Sequence, residues 1–304
     1  MAWPPTPQTL VSSPFPVNFG YTYLQVSNTQ STATPTNFQQ FIQLPPQVSL
    51  NTWPLRFYAD PALTQPLYAW YETPTTVWVL LPNGVPANSS INVYFNVGAP
   101  DGVYTGMAPY LSSTYGQYDN GANVFTNYWN FAGTSLPSGW STSSSLTATV
   151  NNGVKLTSTA VSQYLGYSKA FSTPLIVDIY GEVITGTTAH FSNLLNMFGG
   201  SLGTSTEWGG LAYSGGNVLG YSSASGTWAF TTTPWATNTF YIITQESSGT
   251  SQSYQINYNK FATSSISLSS FYFMIWQDNS TTFVQWVRTR AYPPNGVQPS
   301  VSFV

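Results

Sequence analysis

The chain has 304 residues, of which 42% are hydrophobic and 16% aromatic, but only 5% carry a charge. This length and apolar content predict one large or two ordinary folded domains and exclude a disordered chain. The six lysines and arginines are too few to bind nucleic acid, no apolar run approaches the ~20 residues of a membrane span, and the lack of cysteine excludes disulfides and thiolate metal sites.

The chain begins with a proline-rich stretch, residues 1–16, which predicts an extended arm rather than a helix or a central strand. The alternative for this stretch is a disordered tail. The stretch has neither the basic nor the apolar region of a secretory signal, so we expect no signal peptide. Trp3 is the largest apolar side chain of the arm, and large aromatic side chains are common anchors at interfaces. We therefore predict that Trp3 contacts a neighbouring subunit, in a homo-oligomer or with other surface proteins.

Residues 17–115 show short β-type segments separated by turn signals. Strands are predicted at 55–58, 75–81 and 91–97, and residues 38–44 fit either a strand or a helical turn. The number and length of these segments are typical of a small antiparallel β-sandwich. We predict a first domain over this range.

Residues 116–304 continue the β pattern without any long segment of helical periodicity. Predicted strands recur every 8–12 residues, among them 146–150, 154–158, 175–183 and 281–290, a spacing typical of a sandwich or jelly roll. The aromatic and turn-rich stretch at 115–140 is interpreted as the junction that opens this second domain. The predicted fold class is thus all-β, with two antiparallel β-sandwich domains.

Five segments of the chain carry a resemblance to a known family. They are NTQSTATPTNFQQFIQL (28–44), PNGVPANSSINVYF (82–95), YDNGANVF (118–125), WNFAGTSLPSGW (129–140) and RTRAYPPNGVQPSVSF (288–303). Together they resemble an archaeal family of unknown function in which a small β domain precedes a concanavalin A-like (laminin G-like) jelly roll. The resemblance implies such a jelly roll for the second domain. It also implies an exterior location, since members occur in archaeal surface proteins and archaeal viruses, and the family has no defined catalytic motif.

The strongest catalytic candidates lie in the segment VDIYGEV. The period of a strand places Asp178, Tyr180 and Glu182 on one face of the sheet. Two carboxylates about 5–5.5 Å apart can run a retaining glycosidase mechanism. Concanavalin-like glucanases carry their acids on one strand in this way, although this segment offers only one glutamate. The alternative is a strand with a polar, solvent-facing side.

No metal or cofactor is predicted. Asp119 and Asn123 offer oxygen ligands on a tight loop, a weak calcium candidate, but the same residues favour a turn that bonds its own backbone. His190 is the single histidine, and without cysteine or a second histidine no zinc site of the usual kinds forms.

Aromatic residues of the second domain are candidates for stacking on sugar rings. They are Trp208, Tyr213, Trp228 and Trp235, and the alternative for each is burial in the core. Asn88 and Asn279 begin glycosylation sequons, which matter only if the chain meets a glycosylation system.

These observations predict a non-enzymatic structural or attachment protein of an exterior surface. The main interpretation is a virion component of an archaeal virus, such as a spike, fibre or capsid-decorating protein, that self-assembles and binds host surface glycans. A cell-surface adhesin or a strand-exchanging filament subunit is the first alternative. A carbohydrate-active hydrolase using Asp178 and Glu182 is the second.

Overall fold

A computed structural model describes residues 21–186, 192–199, 202, 207–214, 216–224 and 227–304. The predicted arm with Trp3, and His190, lie outside these residues. In the described residues the sheets are antiparallel, apart from one parallel strand pair, and form two sandwiches, so the predicted fold class is confirmed. None of the helices seen there is long and apolar enough for a membrane span.

The N-terminal sandwich is built mainly from the first eight strands. They are β1 (Tyr23–Asn28), β2 (Phe38–Gln43), β3 (Leu55–Tyr58), β4 (Pro66–Leu67), β5 (Ala69–Thr73), β6 (Thr76–Leu81), β7 (Ser89–Val97) and β8 (Thr105–Met107). A 3-10 turn (Pro109–Leu111) and a single helical turn, α1 (Gly121–Val124), then lead into the second sandwich.

The C-terminal sandwich contains strands β9 to β24, and one last strand follows it. They are β9 (Asn127–Trp129), β10 (Trp140–Thr142), β11 (Leu146–Val150), β12 (Val154–Ser158), β13 (Gln163–Tyr167), β14 (Phe171–Ser172), β15 (Leu175–Thr185), β16 (Ser192–Phe198), β17 (Glu207–Ser214), β18 (Asn217–Ala224), β19 (Thr227–Pro234), β20 (Tyr241–Ser247), β21 (Gln252–Ile256), β22 (Asn259–Ser264), β23 (Ser270–Gln277), β24 (Thr281–Ala291) and β25 (Ser300–Phe303). A second 3-10 turn (Pro294–Gly296) precedes β25.

The N-terminal sandwich consists of two sheets, which we name A and B. Sheet A has the order β25-β1-β7-β3-β4 and sheet B the order β2-β6-β5-β8. Successive side chains of a strand point to opposite faces of the sheet, and only one face meets the core. In β1, Leu24 and Val26 are therefore fully buried, while the residues next to them, Tyr23, Gln25 and Ser27, are half-buried. The segment whose conformation the sequence left open, residues 38–44, is the strand β2.

The C-terminal sandwich consists of two larger sheets, C and D. Sheet C has the order β11-β12-β24-β15-β20-β21-β22 with β9 also paired to β24, and sheet D has the order β10-β13-β23-β16-β17-β18-β19 with β14 paired to β23. Between them lies an apolar core to which β15 contributes Val177, Ile179 and Val183. The opposite face of β15 points out of this core, and it positions the site described below.

The last strand of the chain belongs to the first sandwich. β25 pairs with β1, with Val301 opposite Val26, and the Thr22 amide donates to the carbonyl of Val304 at 2.7 Å. The predicted second domain, residues 116–304, therefore contains a strand that the structure places in sheet A. The pairing joins residues that lie far apart in sequence, so no local pattern could indicate it.

The two sandwiches pack together through sheets B and C. The contact is an aromatic cluster that includes Trp70, Trp78, Phe125 and Trp286, all nearly inaccessible to solvent. Gln39 of β2 spans the contact, since its Nε2 donates to the carbonyl of Val124 and its Oε1 accepts from the amide of Ala291. The four sheets thus form a stack in the order A, B, C, D.

Candidate functional site

Charged side chains meet in the contact between sheets B and C, in a cluster that we name the joint. Its ionic members are Glu72 of β5, Asp178 of β15, and Arg288 and Arg290 of β24. Residues 288 and 290 point to the same side of β24 because side chains alternate along a strand. All four side chains are at most 3% exposed.

Two carboxylates and two guanidinium groups are paired in the joint. Arg288 Nη2 lies 2.7 Å from Glu72 Oε2, and Arg288 Nε lies 2.8 Å from Asp178 Oδ2. Arg290 Nε donates to the same Asp178 oxygen at 2.8 Å, and Thr244 Oγ1 donates to the other at 2.7 Å. Asp178 therefore has both oxygens occupied by donors from sheet C itself, while Glu72 reaches Arg288 from the other sandwich.

Aromatic rings enclose the Arg288 guanidinium. Its central carbon lies 4.4 Å from the ring centroid of Phe125, 4.6 Å from those of Trp78 and Trp286, and 5.4 Å from that of Trp70. Arg288 Nη1 has no hydrogen-bond acceptor among the described residues. The faces of the aromatic rings compensate for the missing acceptor, because their negative electrostatic potential attracts a desolvated cation.

The electrostatics of the joint favour its charged form. Burial raises the pKa of Asp178, but Arg290 and Arg288 outweigh burial and hold that pKa below its usual range. Burial lowers the pKa of Arg288, but Tyr258, Glu72 and Asp178 outweigh it and raise that pKa. Because the folded pKa of Asp178 is depressed, its stabilising contribution is present above its unfolded pKa of about 3.9. This contribution is lost only as the pH falls through the pKa that Asp178 has in the folded state.

The predicted catalytic strand has the predicted alternation but a different environment. Val177 and Ile179 face the core, as expected, and Asp178 faces the opposite way. At Asp178, this face of the strand is covered by the first sandwich. Asp178 is 0% exposed, so it lines no substrate groove and does not meet solvent. Glu182 is half-buried, and burial raises its pKa. Asp178 is committed to two arginines, so the pair does not offer the two available carboxylates that a glycosidase needs.

The calcium candidate is occupied by protein donors. Asp119 Oδ1 accepts from Trp70 Nε1 at 2.8 Å and from the Gly121 amide at 3.0 Å. Its Oδ2 accepts from the Tyr128 hydroxyl at 2.7 Å and from Asn130 Nδ2 at 2.8 Å. The companion residue, Asn123, is exposed, and the described residues contain no group of three or more acidic or histidine side chains suited to a metal. Asp119 instead fastens the junction to sheet B.

The aromatic candidates for sugar stacking do not form a surface platform. Tyr213 is 7% and Trp235 4% exposed, and both belong to the core between sheets C and D. This burial corrects the prediction for these two residues, because a ring inside the core cannot stack on a ligand. Trp208 lies on β17 and Trp228 on β19, and their side chains lie outside the described part.

The two sequons lie at turns. Asn88 is exposed just before β7, whereas Asn279 is half-buried between β23 and β24. Both have positive φ angles, of 47° and 46°. Only Asn88 offers an open side chain, and use of either sequon stays a prediction.

A groove opens beside the joint, between the two sandwiches. Its volume is about 620 Å³, and it is lined from the first sandwich by Gln40, Phe41 and Trp78. The second sandwich contributes Gln255 and Tyr258, and residues 296–299 close one side. None of these residues was singled out from the sequence. The available signal was the pair of adjacent glutamines in the strand FQQFIQ, because adjacent residues face opposite sides of a strand and at least one of the two must point away from open solvent if the strand is covered on either side.

The arginines of the joint were also missed, although the sequence carries a signal for them. The segment WVRTRA places two of the three arginines of the chain on one side of a strand that is otherwise rich in apolar residues. Cations at this spacing on a central strand indicate a buried partner rather than solvent.

The chain is similar in sequence to a viral protein. No family model matches the chain, so the archaeal family that it resembles stays a prediction. A protein of Sulfolobus islandicus rod-shaped virus 1, described as uncharacterized protein 562, is 29% identical over 341 aligned residues. The alignment covers 91% of this chain and 58% of that protein, so the chain spans less than two thirds of its relative. The similarity to this protein supports the interpretation of the chain as a viral protein.

Solved structures with similar sheets include enzymes and binding modules. The endo-β-1,3-glucanase of Pyrococcus furiosus aligns with a TM-score of 0.45 at 11% identity, over 55% of this chain and 94% of the enzyme. The carbohydrate-binding module CBM66 of Bacillus subtilis aligns with a TM-score of 0.39 at 16% identity, over 50% of this chain and 96% of the module. Similarity at this level says nothing about what this chain binds or catalyses.

Proposed function

We propose that the chain is a non-enzymatic structural or attachment protein on the exterior of a virus particle. The observation that carries the proposal is the joint: the strand face on which a hydrolase would carry its acids instead connects two sandwiches. Asp178 holds Arg288 and Arg290 there, in full burial. The relative from a rod-shaped virus supports the viral part of the proposal.

The joint suits a role in which the two sandwiches act as one piece. Buried ion pairs add little net stability over apolar packing, but they tolerate only a narrow geometry. Glu72 and Arg288 therefore favour one arrangement of sheet B on sheet C. An assembling protein needs such a fixed arrangement, because its contact surfaces must keep their relative positions.

The particle location is tested on purified virions of the virus that encodes the chain. We expect mass spectrometry to find the chain in the particle fraction, and immunogold labelling to reach it on intact particles. An internal virion protein serves as the control that must stay unlabelled until the particles are opened. Recovery of the chain only from infected-cell lysate, or labelling only after opening, contradicts an exterior virion role.

The non-enzymatic part predicts that the purified chain releases no reducing ends from β-1,3-glucan, β-1,4-glucan or α-glucan. The reason is that Asp178, the second acid of the expected pair, is buried and bound to two arginines, so it is not available to act together with Glu182. The Glu182→Gln variant should give the same baseline in a reducing-sugar assay. Release by the wild-type chain that disappears in Glu182→Gln would establish the hydrolase instead.

A further inference from the structure

We infer that the groove between the two sandwiches binds a neutral oligosaccharide. This inference goes beyond the proposed particle location and does not depend on it, since binding is a property of the isolated chain. The groove is also separate from the aromatic residues that the sequence suggested for sugar binding.

The size and floor of the groove fit a small ligand. Its volume of about 620 Å³ lies within the roughly 300–1,000 Å³ of typical ligand sites. Phe41 and Tyr258, both half-buried, form an aromatic side, with ring centroids 5.3 Å apart, and the buried Trp78 packs against both rings. Such rings offer an apolar surface to the C–H face of a sugar.

Amide side chains supply the polar side of the groove. Gln40 is 1% exposed; its Nε2 donates to the carbonyls of Phe41 and Pro299, but its Oε1 has no partner in the described part of the chain. An unpaired buried oxygen is costly unless a ligand donates to it. Gln255 and Gln298 also line the groove. An amide presents one acceptor and two donors, which matches adjacent hydroxyls of a sugar.

The charge of the groove favours a neutral ligand. Arg290 is the one cation in the lining, and its Nε is bound to Asp178 at 2.8 Å. Glu246, the one acid, accepts from the Ser253 hydroxyl at 2.6 Å. The lining of this 620 Å³ cavity therefore offers no free cation to neutralise a carboxylate or a sulfate.

A second, smaller cavity continues the groove and makes it elongated. It has a volume of about 170 Å³ and shares Glu246, Gln255 and Gly296 with the first. Its other lining groups include the hydroxyls of Ser251 and Thr263 and the side chain of Lys260, so that Glu246 and Lys260 give this cavity one charge of each sign. An apolar end followed by a hydroxyl-lined end suits a chain of several sugar units rather than a single one.

An extended peptide is the rival occupant, because β2 is an edge strand of sheet B. The structure disfavours it. The Gln40 side chain donates to the carbonyl of Pro299 at 3.1 Å, and residues 296–299 thereby lie along this edge of the groove. A peptide adding to β2 would have to displace that segment.

The test is isothermal titration calorimetry of the full chain with malto-, cello-, laminari- and mannohexaose. We expect at least one hexaose to bind with a dissociation constant of about 1 mM or below, and its trisaccharide to bind more weakly. Gln255→Ala should weaken binding about fivefold to tenfold, the effect of losing one or two neutral hydrogen bonds. Gln65→Ala, an exposed glutamine outside the groove, should leave binding unchanged.

Each contrary result overturns the inference. These are the absence of binding by all four hexaoses, binding that Gln255→Ala leaves unchanged, or binding of an alternating Thr-Val hexapeptide but of no hexaose. A thermal melt of each variant must match the wild-type chain, and Gln43→Ala, on another wall of the groove, replaces Gln255→Ala if that variant melts lower. Failure here leaves the particle location untouched, because that location is decided by labelling virions.

Discussion

Replacing Arg288 with methionine is expected to lower the free energy of unfolding by about 3–5 kcal/mol, the usual cost of removing one partner from a buried ion pair. The substitution leaves Glu72 without its arginine and Asp178 with one arginine instead of two. Methionine fills much of the same space, so the loss reports the uncompensated charge rather than a cavity. Chemical denaturation followed by tryptophan fluorescence measures it, since Trp70 and Trp286 lie beside the guanidinium.

The matched control is Arg56→Met. Arg56 lies 3.2 Å from Asp101, but the two side chains are 37% and 29% exposed. Solvent screens such a pair, and its loss should cost about 0–1 kcal/mol. Equal effects at positions 56 and 288 would show that the buried pairs do not hold the sandwiches together.

A second substitution separates charge from packing. Adding Glu72→Gln to Arg288→Met removes the unpaired carboxylate and keeps an acceptor for Trp78 Nε1 and the Tyr258 hydroxyl, which both donate to Glu72. The double variant should therefore be more stable than Arg288→Met alone. If the double variant is less stable than Arg288→Met, the stability lost in Arg288→Met comes from the contacts of Arg288 with the aromatic rings and not from an unpaired charge.

The joint also explains where this weakly charged chain uses its charges. Only 5% of the residues are charged, and two of the three arginines are buried between the sandwiches. Four aromatic rings and two carboxylates make that burial tolerable for Arg288. Charge here specifies how sheet B meets sheet C.

Strand periodicity was sufficient to predict much of the fold. The strands 55–58, 146–150 and 154–158 have the predicted bounds, because each combines clear alternation with flanking turn residues. β25 was missed, because it is short and its partner lies at the other end of the chain. Pairing at an edge depends on tertiary contacts that no local pattern records.

The site was harder to predict for a related reason. Periodicity placed Asp178 on the correct face of β15, but a polar face that meets solvent and one that meets a second domain have the same pattern. Only the partners decide, and Glu72 and Arg288 lie 106 residues before and 110 residues after Asp178. Burial of Tyr213 and Trp235 was equally hidden, since aromatic residues serve both cores and binding surfaces.

Replacing Asp119 with alanine is expected to lower the free energy of unfolding by about 2–3 kcal/mol, because donors that it now satisfies would be left unpaired. The most costly is Trp70 Nε1, which belongs to a fully buried ring of the contact between sheets B and C. Tyr128 and Asn130 lose their acceptor as well. Urea denaturation measures the change.

Two comparisons decide what Asp119 does. Asp60→Ala is the first, since Asp60 also accepts several bonds from its own loop but lies toward solvent; its loss should be clearly smaller. Calcium is the second: millimolar CaCl₂ should not raise the melting temperature of the wild-type chain, because both oxygens of Asp119 already have two donors each. A calcium-dependent rise that Asp119→Ala abolishes would mean that these donors yield to a cation, and that the loop is a metal site rather than a fastening of the junction.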